Sequence, residues 1–211
     1  MTVADTLVDR SRAVVARAHA EGRTALLGVV GPPGAGKSTF ADRLVASLAD
    51  VRTVVVPMDG FHLADIELRR LGRRERKGAP DTFDAAGYVA LLRRLAEPRE
   101  RRGDVYAPEF RREIEEPVAG AVRVGPETDL VVTEGNYLLL DGAPWDQVRT
   151  LLDEVWYLDV PDDVRRARLE ARHVRHGKSP AAARAWTLGP DEANARLVAA
   201  GRGHAAVVVP E

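Results

Sequence analysis

The sequence predicts an α/β protein, with a parallel sheet covered by helices on both faces. Three observations carry this. Five short apolar runs recur along the 211 residues. Each run is continuously apolar instead of alternating, as strands buried on both faces must be. Stretches with helical spacing separate the runs, which is the rhythm of a strand–helix fold.

The elements follow in order. The first 22 residues spread Asp5, Asp9 and Glu21 among spaced apolar positions, which predicts an amphipathic helix and not a targeting segment. TALLGVVG (24–31) is a buried strand entering glycine, and KSTFADRLVASLAD (37–50) is a helix. TVVVPM (53–58) is a second strand, with Pro57 at its end, where a ladder donor matters least. DLVVTE (129–134), EVWYLDV (154–160) and HAAVVVP (204–210) complete the set of five. Helical spacing covers 84–97, 145–152 and 161–176, and Pro161 suits a first helical position. Residues 65–126 break the rhythm and read as an insertion within a single domain, 1–211. Their arginine-rich runs, RRLGRRERK and RERR, read as solvated helix faces and loops; reach over a polyanionic ligand is the sharper alternative.

Composition narrows the function. A hydrophobic content of 45% supports a full core, and a net charge of -1 provides no whole-molecule field for nucleic acid or anionic lipid. The absence of cysteine excludes disulfides, thiolate metal sites and thiol nucleophiles. No apolar run approaches the roughly 18 residues of a membrane span. These features predict a soluble, cytoplasmic protein without nucleic-acid or membrane partners. A homodimer stays open.

The chain carries 31 basic residues, yet only Lys37, Lys77 and Lys178 are lysines. Lys37 falls in GPPGAGKST (31–39), which matches G-x-x-x-x-G-K-[ST] between a strand and a helix. In such a P-loop, Gly31, Gly34, Ala35, Gly36, Lys37, Ser38 and Thr39 form a cradle for a nucleotide polyphosphate. Backbone N–H groups turn toward an anion at the helix start, and a compact ammonium reaches the β- and γ-phosphates where a planar guanidinium would need a wider fork. The Ser38 hydroxyl suits a Mg²⁺ ion bridging those phosphates. Neither an N-K-x-D base-reading motif nor L-S-G-G-Q is present.

Two acids stand at the carboxyl ends of further strands, Asp59 in PMDGF and Glu134 in VVTEGN. Ligands on such sheets bind beyond those ends, so both acids should meet the P-loop in one crevice. One carboxylate would order Mg²⁺ and the other would accept a proton from an attacking hydroxyl. In RLEARHVRHGKS (168–179), Arg168, Arg172 and Arg175 share a helical face and lead into Gly177 and Lys178. They read as a lid, about 165–180, that neutralises the transferring phosphoryl group and excludes water.

With GPPGAGKST, MDGFH, RKGAPDTFD, YAPEF, EGNYLLLD and RHVRHGKS in this order, the sequence resembles the P-loop kinase superfamily of uridine kinases, phosphoribulokinases and type I pantothenate kinases. It looks most like the loosely named nucleoside/nucleotide kinase-like group, some of whose members are called sugar-transport-associated kinases. The resemblance implies a P-loop NTPase fold with strand order 2-3-1-4-5. It also implies Asp59 as the base, Glu134 with Ser38 around Mg²⁺, and ATP as phosphoryl donor. Tyr106, Phe110 and Arg111 of YAPEFR are candidate acceptor contacts, because that segment sits in the insertion. His62 is either a further contact or a structural histidine, and Asn194 in DEANARL is assigned near the adenine. The expected function is a Mg-ATP-dependent kinase acting on a hydroxyl of a small polar metabolite. The alternative is a nucleotide-binding regulator without metabolite kinase activity.

Overall fold

The computed structural model describes residues 3–211, and its centre is a five-stranded parallel sheet. Helix α1 (Val3–Ala20) leads into β1 (Ala25–Val30), the P-loop and α2 (Lys37–Ser47). The part of the expected first helix on Met1 and Thr2 lies outside the described residues. Strand β2 (Thr53–Pro57) ends in a 3-10 turn (Met58–Phe61), followed by α3 (Asp65–Arg70) and α4 (Ala85–Ala96). Strands β3 (Val105–Arg111) and β4 (Glu116–Val124) form an antiparallel hairpin apart from the main sheet. Then come β5 (Leu130–Gly135), α5 (Val148–Leu151), β6 (Glu154–Asp159) and α6 (Asp162–Arg175). The chain closes with α7 (Pro180–Trp186), a π-helical turn (Thr187–Asp191), α8 (Glu192–Ala200) and β7 (Val207–Pro210).

The sheet order is β2-β5-β1-β6-β7. Counting the five sheet strands alone, this is 2-3-1-4-5, as the resemblance implies. Strand β1 is flanked by β5 and β6, and Val29 and Pro57 both lie level with Glu134. The carboxyl ends of β1, β2 and β5 therefore finish together.

Alternation along β1 divides the interior in two. Leu26 and Val30 face Tyr88, Leu92, Tyr137 and Trp145 on one side of the sheet. Leu27 and Val29 face Val14, Ala18, Leu44 and Trp156 on the other. Burial of each such side chain contributes about 1.5–3 kcal/mol, before chain entropy is counted.

Residues 65–126 differ from the sequence reading. Helix α4 within them is a core helix, since Tyr88, Val89, Leu92 and Leu95 are buried. The β3–β4 hairpin has no strand signature, because the middle of β4 is exposed and built from small residues. In the first arginine run, Arg70, Arg74 and Arg76 pair with Glu67, Asp65 and Asp81, which is the solvated-face reading. The RERR run departs from it. Arg102 is only 5% exposed and donates to Leu95 O, Thr24 Oγ1 and Gly125 O, and Arg99 bonds Asp129. Two other expected elements are shorter: 145–152 divides into a 3-10 turn and α5, and β7 starts only at Val207.

One buried pair fixes the stem of α6. The Arg165 side chain, 2% exposed, donates from Nη2 to Glu192 Oε2 at 2.6 Å and from Nε to Asp162 Oδ1 at 2.7 Å. Arg166 binds the other Glu192 oxygen at 2.8 Å. The two guanidiniums hold the Glu192 carboxyl down, from the ordinary 4.5 to about 2, with the Arg166 hydrogen bond the larger cause. Removing Glu192 strands a buried guanidinium, so Glu192→Ala should destabilise the fold by about 3 kcal/mol in urea unfolding. The contribution of Glu192 is fully present above pH 4.5 and should fade as pH falls toward about 2. A Glu192→Ala protein should therefore lose less stability on acidification than the parent over that window.

Candidate active site

The carboxyl ends of β1, β2 and β5 open into a crevice of about 770 Å³. The P-loop closes one wall. Gly34 has a left-handed backbone (φ 83), and its Cα lies so near the Arg165 carbonyl oxygen of α6 that any Cβ would clash. The loop and the α6 stem thus pack backbone to backbone.

Lys37 begins α2 and turns its ammonium back into the loop. Its Nζ donates to Asn136 Oδ1 (2.7 Å), Gly31 O (2.9 Å) and Pro32 O (3.4 Å). Burial lowers its pKa, opposed by the charges of Glu134 and Asp59. Ser38 Oγ donates to Glu134 Oε1 at 2.9 Å, and Glu134 is 6% exposed. Burial raises the Glu134 pKa, and the neighbouring Asp59 carboxylate raises it further. Hard oxygen donors on Ser38 and Glu134, side by side at a phosphate loop, fit Mg²⁺, which keeps several waters and takes few protein ligands.

Asp59 sits in the 3-10 turn after β2, and the turn presses on the hairpin. Gly60 allows this, because a Cβ there would run into the Pro108 carbonyl. The Nδ1–H of His62 donates to Asp59 O at 2.8 Å, and burial lowers the His62 pKa, so the ring is neutral with Nε2 left as acceptor. The His62 ring packs, tilted, against Phe83 (ring centroids 4.0 Å apart) and Phe110 (4.9 Å). Lys77 Nζ lies 5.3 Å from the Phe110 ring and bonds Asp65 Oδ1 and Glu115 O, both at 2.6 Å. This end of the crevice is an aromatic wall with a fixed ammonium.

The α6–α7 side supplies the opposite wall. Arg168, Arg172 and Arg175 all line the crevice. Arg168 also pairs with Glu211 beside a second cavity of about 550 Å³, on the other side of Gly36 and Thr39. That groove is largely apolar, with Ala35, Phe40, Leu158, Val160 and Pro210 in its walls. Lys178 Nζ stands 4.4 Å over the Trp186 ring, and His173 bonds Asp191 at 2.7 Å. A π-helical turn such as Thr187–Asp191 is frequent at functional sites and here carries Asp191 to His173.

The crevice thus gathers Gly34, Gly36, Lys37, Ser38, Thr39, Asp59, His62, Phe110, Glu134, Arg168, Arg172 and Arg175. Four expected residues, Gly31, Ala35, Tyr106 and Arg111, are not among its lining residues. Tyr106 is 53% exposed on β3 and does not line the crevice. Arg111 points outward and pairs with Glu109 at 2.9 Å, whereas the next residue, Arg112, enters the crevice with Nη2 3.8 Å from Asp59 Oδ2. Asn194 does line the crevice: α8 brings it in, and its Nδ2 donates to Gly78 O at 3.2 Å. Sequence reasoning also missed Asn136 and Trp186. Asn136 had a signal, since it follows the VVTEG strand end directly.

The chain from 26 to 180 matches the model of the Phosphoribulokinase / Uridine kinase family. It belongs to that family of P-loop kinases. It is 37% identical over 160 residues to "Putative uridine kinase C227.14" of Schizosaccharomyces pombe, a match covering 72% of this chain and 67% of that one. It is also 37% identical over 145 residues to "ATP-dependent kinase-like protein notR'" of Aspergillus versicolor, across 65% of this chain and 84% of the other. Among solved structures, a "putative fructose transport system kinase" from Silicibacter sp. TM1040 superposes over 100% of both chains, with a TM-score of 0.85 and 37% identity. No described helix is long and apolar enough to cross a membrane.

Two outcomes test the site. Lys37→Ala should weaken nucleotide binding by about 1.5–3 kcal/mol, measured by calorimetry, and leave the melting temperature close to the parent's. Unchanged affinity would remove Lys37 from the site. The raised Glu134 pKa sets the second. If Glu134 holds Mg²⁺ it does so as the carboxylate, so Mg²⁺-dependent nucleotide affinity should decline with acidification at a higher pH than an ordinary glutamate would give. A Glu134→Gln protein should show no such pH dependence.

Proposed function

We propose that the protein is a Mg-ATP-dependent kinase that transfers the γ-phosphoryl group to a hydroxyl of a small polar metabolite. The observation that carries this reading is the convergence of Lys37, Ser38, Glu134 and Asp59 in one crevice that continues into a wall of His62, Phe83 and Phe110. A phosphate loop alone binds nucleotide. A second carboxylate facing an enclosed, aromatic-lined end adds a place for an acceptor and a base for its proton.

The base of the nucleotide is assigned to the apolar groove beyond Thr39, between α2 and the β6 and β7 ends, and its polyphosphate to the loop. Ser38 and Glu134 would hold Mg²⁺, which when bound supplies charge neutralisation on the phosphates. Lys37 exchanges its carbonyl and amide partners for phosphate oxygens. Asp59 takes the acceptor's proton, and the wall of His62, Phe83 and Phe110 excludes water from the attacking oxygen. Residues 165–180 act as the lid: Arg165 and Leu169 anchor its stem, and Arg172 and Arg175 present their charge to the phosphoryl group. The hairpin within 65–126 covers the acceptor.

A nucleotide-binding regulator would use the loop but leave Asp59 and the aromatic end without a task. Acceptor-dependent ADP release separates the two readings. The screen spans nucleosides, free sugars including fructose, and pantothenate-like hydroxy acids, because the family and the Silicibacter protein's description cover such compounds. Release stimulated by none of these classes would favour the regulator.

With an acceptor in hand, the two carboxylates should behave differently. Asp59→Asn keeps the shape and removes the base, so turnover should fall by roughly 10²- to 10⁴-fold with Mg-ATP affinity nearly unchanged and no rescue by added Mg²⁺. Glu134→Gln should instead raise the Mg²⁺ requirement and recover partly at high metal. Rescue of Asp59→Asn alone would reverse the two roles.

A further inference from the structure

Three cations converge on the space beside Asp59 and Glu134: Lys37 from the P-loop, Arg172 from α6 and Arg112 from the hairpin turn. They come from separate parts of the fold, and two of them have no firm partner. Arg172 makes no side-chain hydrogen bond or ion pair with any described residue. Arg112 has only the long approach to Asp59, at 3.8 Å. Arg74 and Lys77 in the same crevice are, by contrast, both paired with Asp65. Burial first, and then the like charge of Arg112, lowers the Arg172 pKa, and both guanidiniums act against the charge of Lys37. Mutually repelling cations around one small space define an anion site.

The position of Arg112 follows from hairpin geometry. A bulge shifts the β3–β4 register between Ala107 and Glu109, and Arg111 ends the strand opposite Glu116 with its side chain outward. The next residue takes the other side, so the turn aims Arg112 back over the Met58–Phe61 turn.

We infer that Arg112 is a catalytic residue: together with Arg172 and Lys37 it holds the oxygens of the phosphoryl group while that group passes from ATP to the acceptor. This rests on the kinase reading above. In the step, the bond from the β–γ bridging oxygen to the γ-phosphorus breaks and its electron pair leaves with ADP. The acceptor oxygen forms the new bond to that phosphorus, and its proton goes to the Asp59 carboxylate. Charge spreads over the equatorial oxygens as this occurs, and a guanidinium placed there binds the transition state more strongly than bound ATP. The nearness of Arg112 to both Lys37 and Asp59 favours the group in transit over a distal anion of the acceptor. While the crevice is empty, Asp59 is the counter-charge of Arg112. An arriving phosphoryl group takes over that contact and leaves Asp59 free for the proton.

The test needs no acceptor. Calorimetry measures Mg-ADP binding with and without aluminium fluoride, which stands in for the planar phosphoryl group, for the parent, Arg112→Gln and Arg112→Lys. Arg112→Gln should lose at least about tenfold of the affinity gained with aluminium fluoride, with Mg-ADP alone within about twofold of the parent. Arg112→Lys should retain part of the gain. An equal gain in the parent and Arg112→Gln would overturn the inference, as would a parent that gains nothing. A loss of Mg-ADP affinity itself in Arg112→Gln would make Arg112 a ground-state nucleotide contact and overturn it too. Failure of the kinase reading appears separately, as ADP release that no acceptor class stimulates in the parent protein.

Discussion

The ammonium of Lys37 is held by three oxygens of the chain itself, and much of the architecture exists to bring those oxygens together. Gly31 O and Pro32 O lie just past β1, and Asn136 Oδ1 lies just past β5. They reach one point only because β1 and β5 pair with Val30 opposite Gly135. A slip of two residues would carry Asn136 about 7 Å away. None of the three partners is an anion. Glu134 and Asp59 act on Lys37 through space, so the charge is compensated yet open to exchange for phosphate oxygens.

The walls of the crevice are anchored in the core to different depths, and that difference suits a phosphotransferase. On the nucleotide side, the P-loop meets α6 backbone to backbone at Gly34, and Arg165 is clamped by Glu192 and Asp162. From Arg172 onward the same helix rises out of the core, with Gly177 in a left-handed turn before α7. The P-loop side of the site is thus built into the core, and Arg172 and Arg175 sit on an extension outside it, where the proposed lid would move.

Much of this was legible in the residues. Continuous apolar runs located the five sheet strands, and the spacing of GPPGAGKST and the acids at two strand ends put Lys37, Ser38, Asp59 and Glu134 in one crevice. What escaped has physical causes. The small, exposed residues of β4 leave no apolar alternation, so the hairpin carried no strand signal. Which of two adjacent arginines enters the crevice depends on a bulge and a turn, and neither leaves a periodic trace. The run RERR reads as solvated by composition, yet Arg102 is buried, because Leu95, Thr24 and Gly125 present oxygens with no counterpart in a linear pattern.

The contact of Gly60 with Pro108 bears on how such a protein diversifies. The root of the hairpin and the turn bearing Asp59 share one atomic boundary, with no room for even a methyl group. Transplanting the whole hairpin from a relative would disturb that boundary and displace the carboxylate along with the cover. At the tip, Arg111, Glu113 and Ile114 are exposed, whereas Phe110, Arg112 and Glu115 line the crevice. Point changes at those three exposed positions are therefore accommodated more easily than an exchange of the root, which would move Asp59 with it.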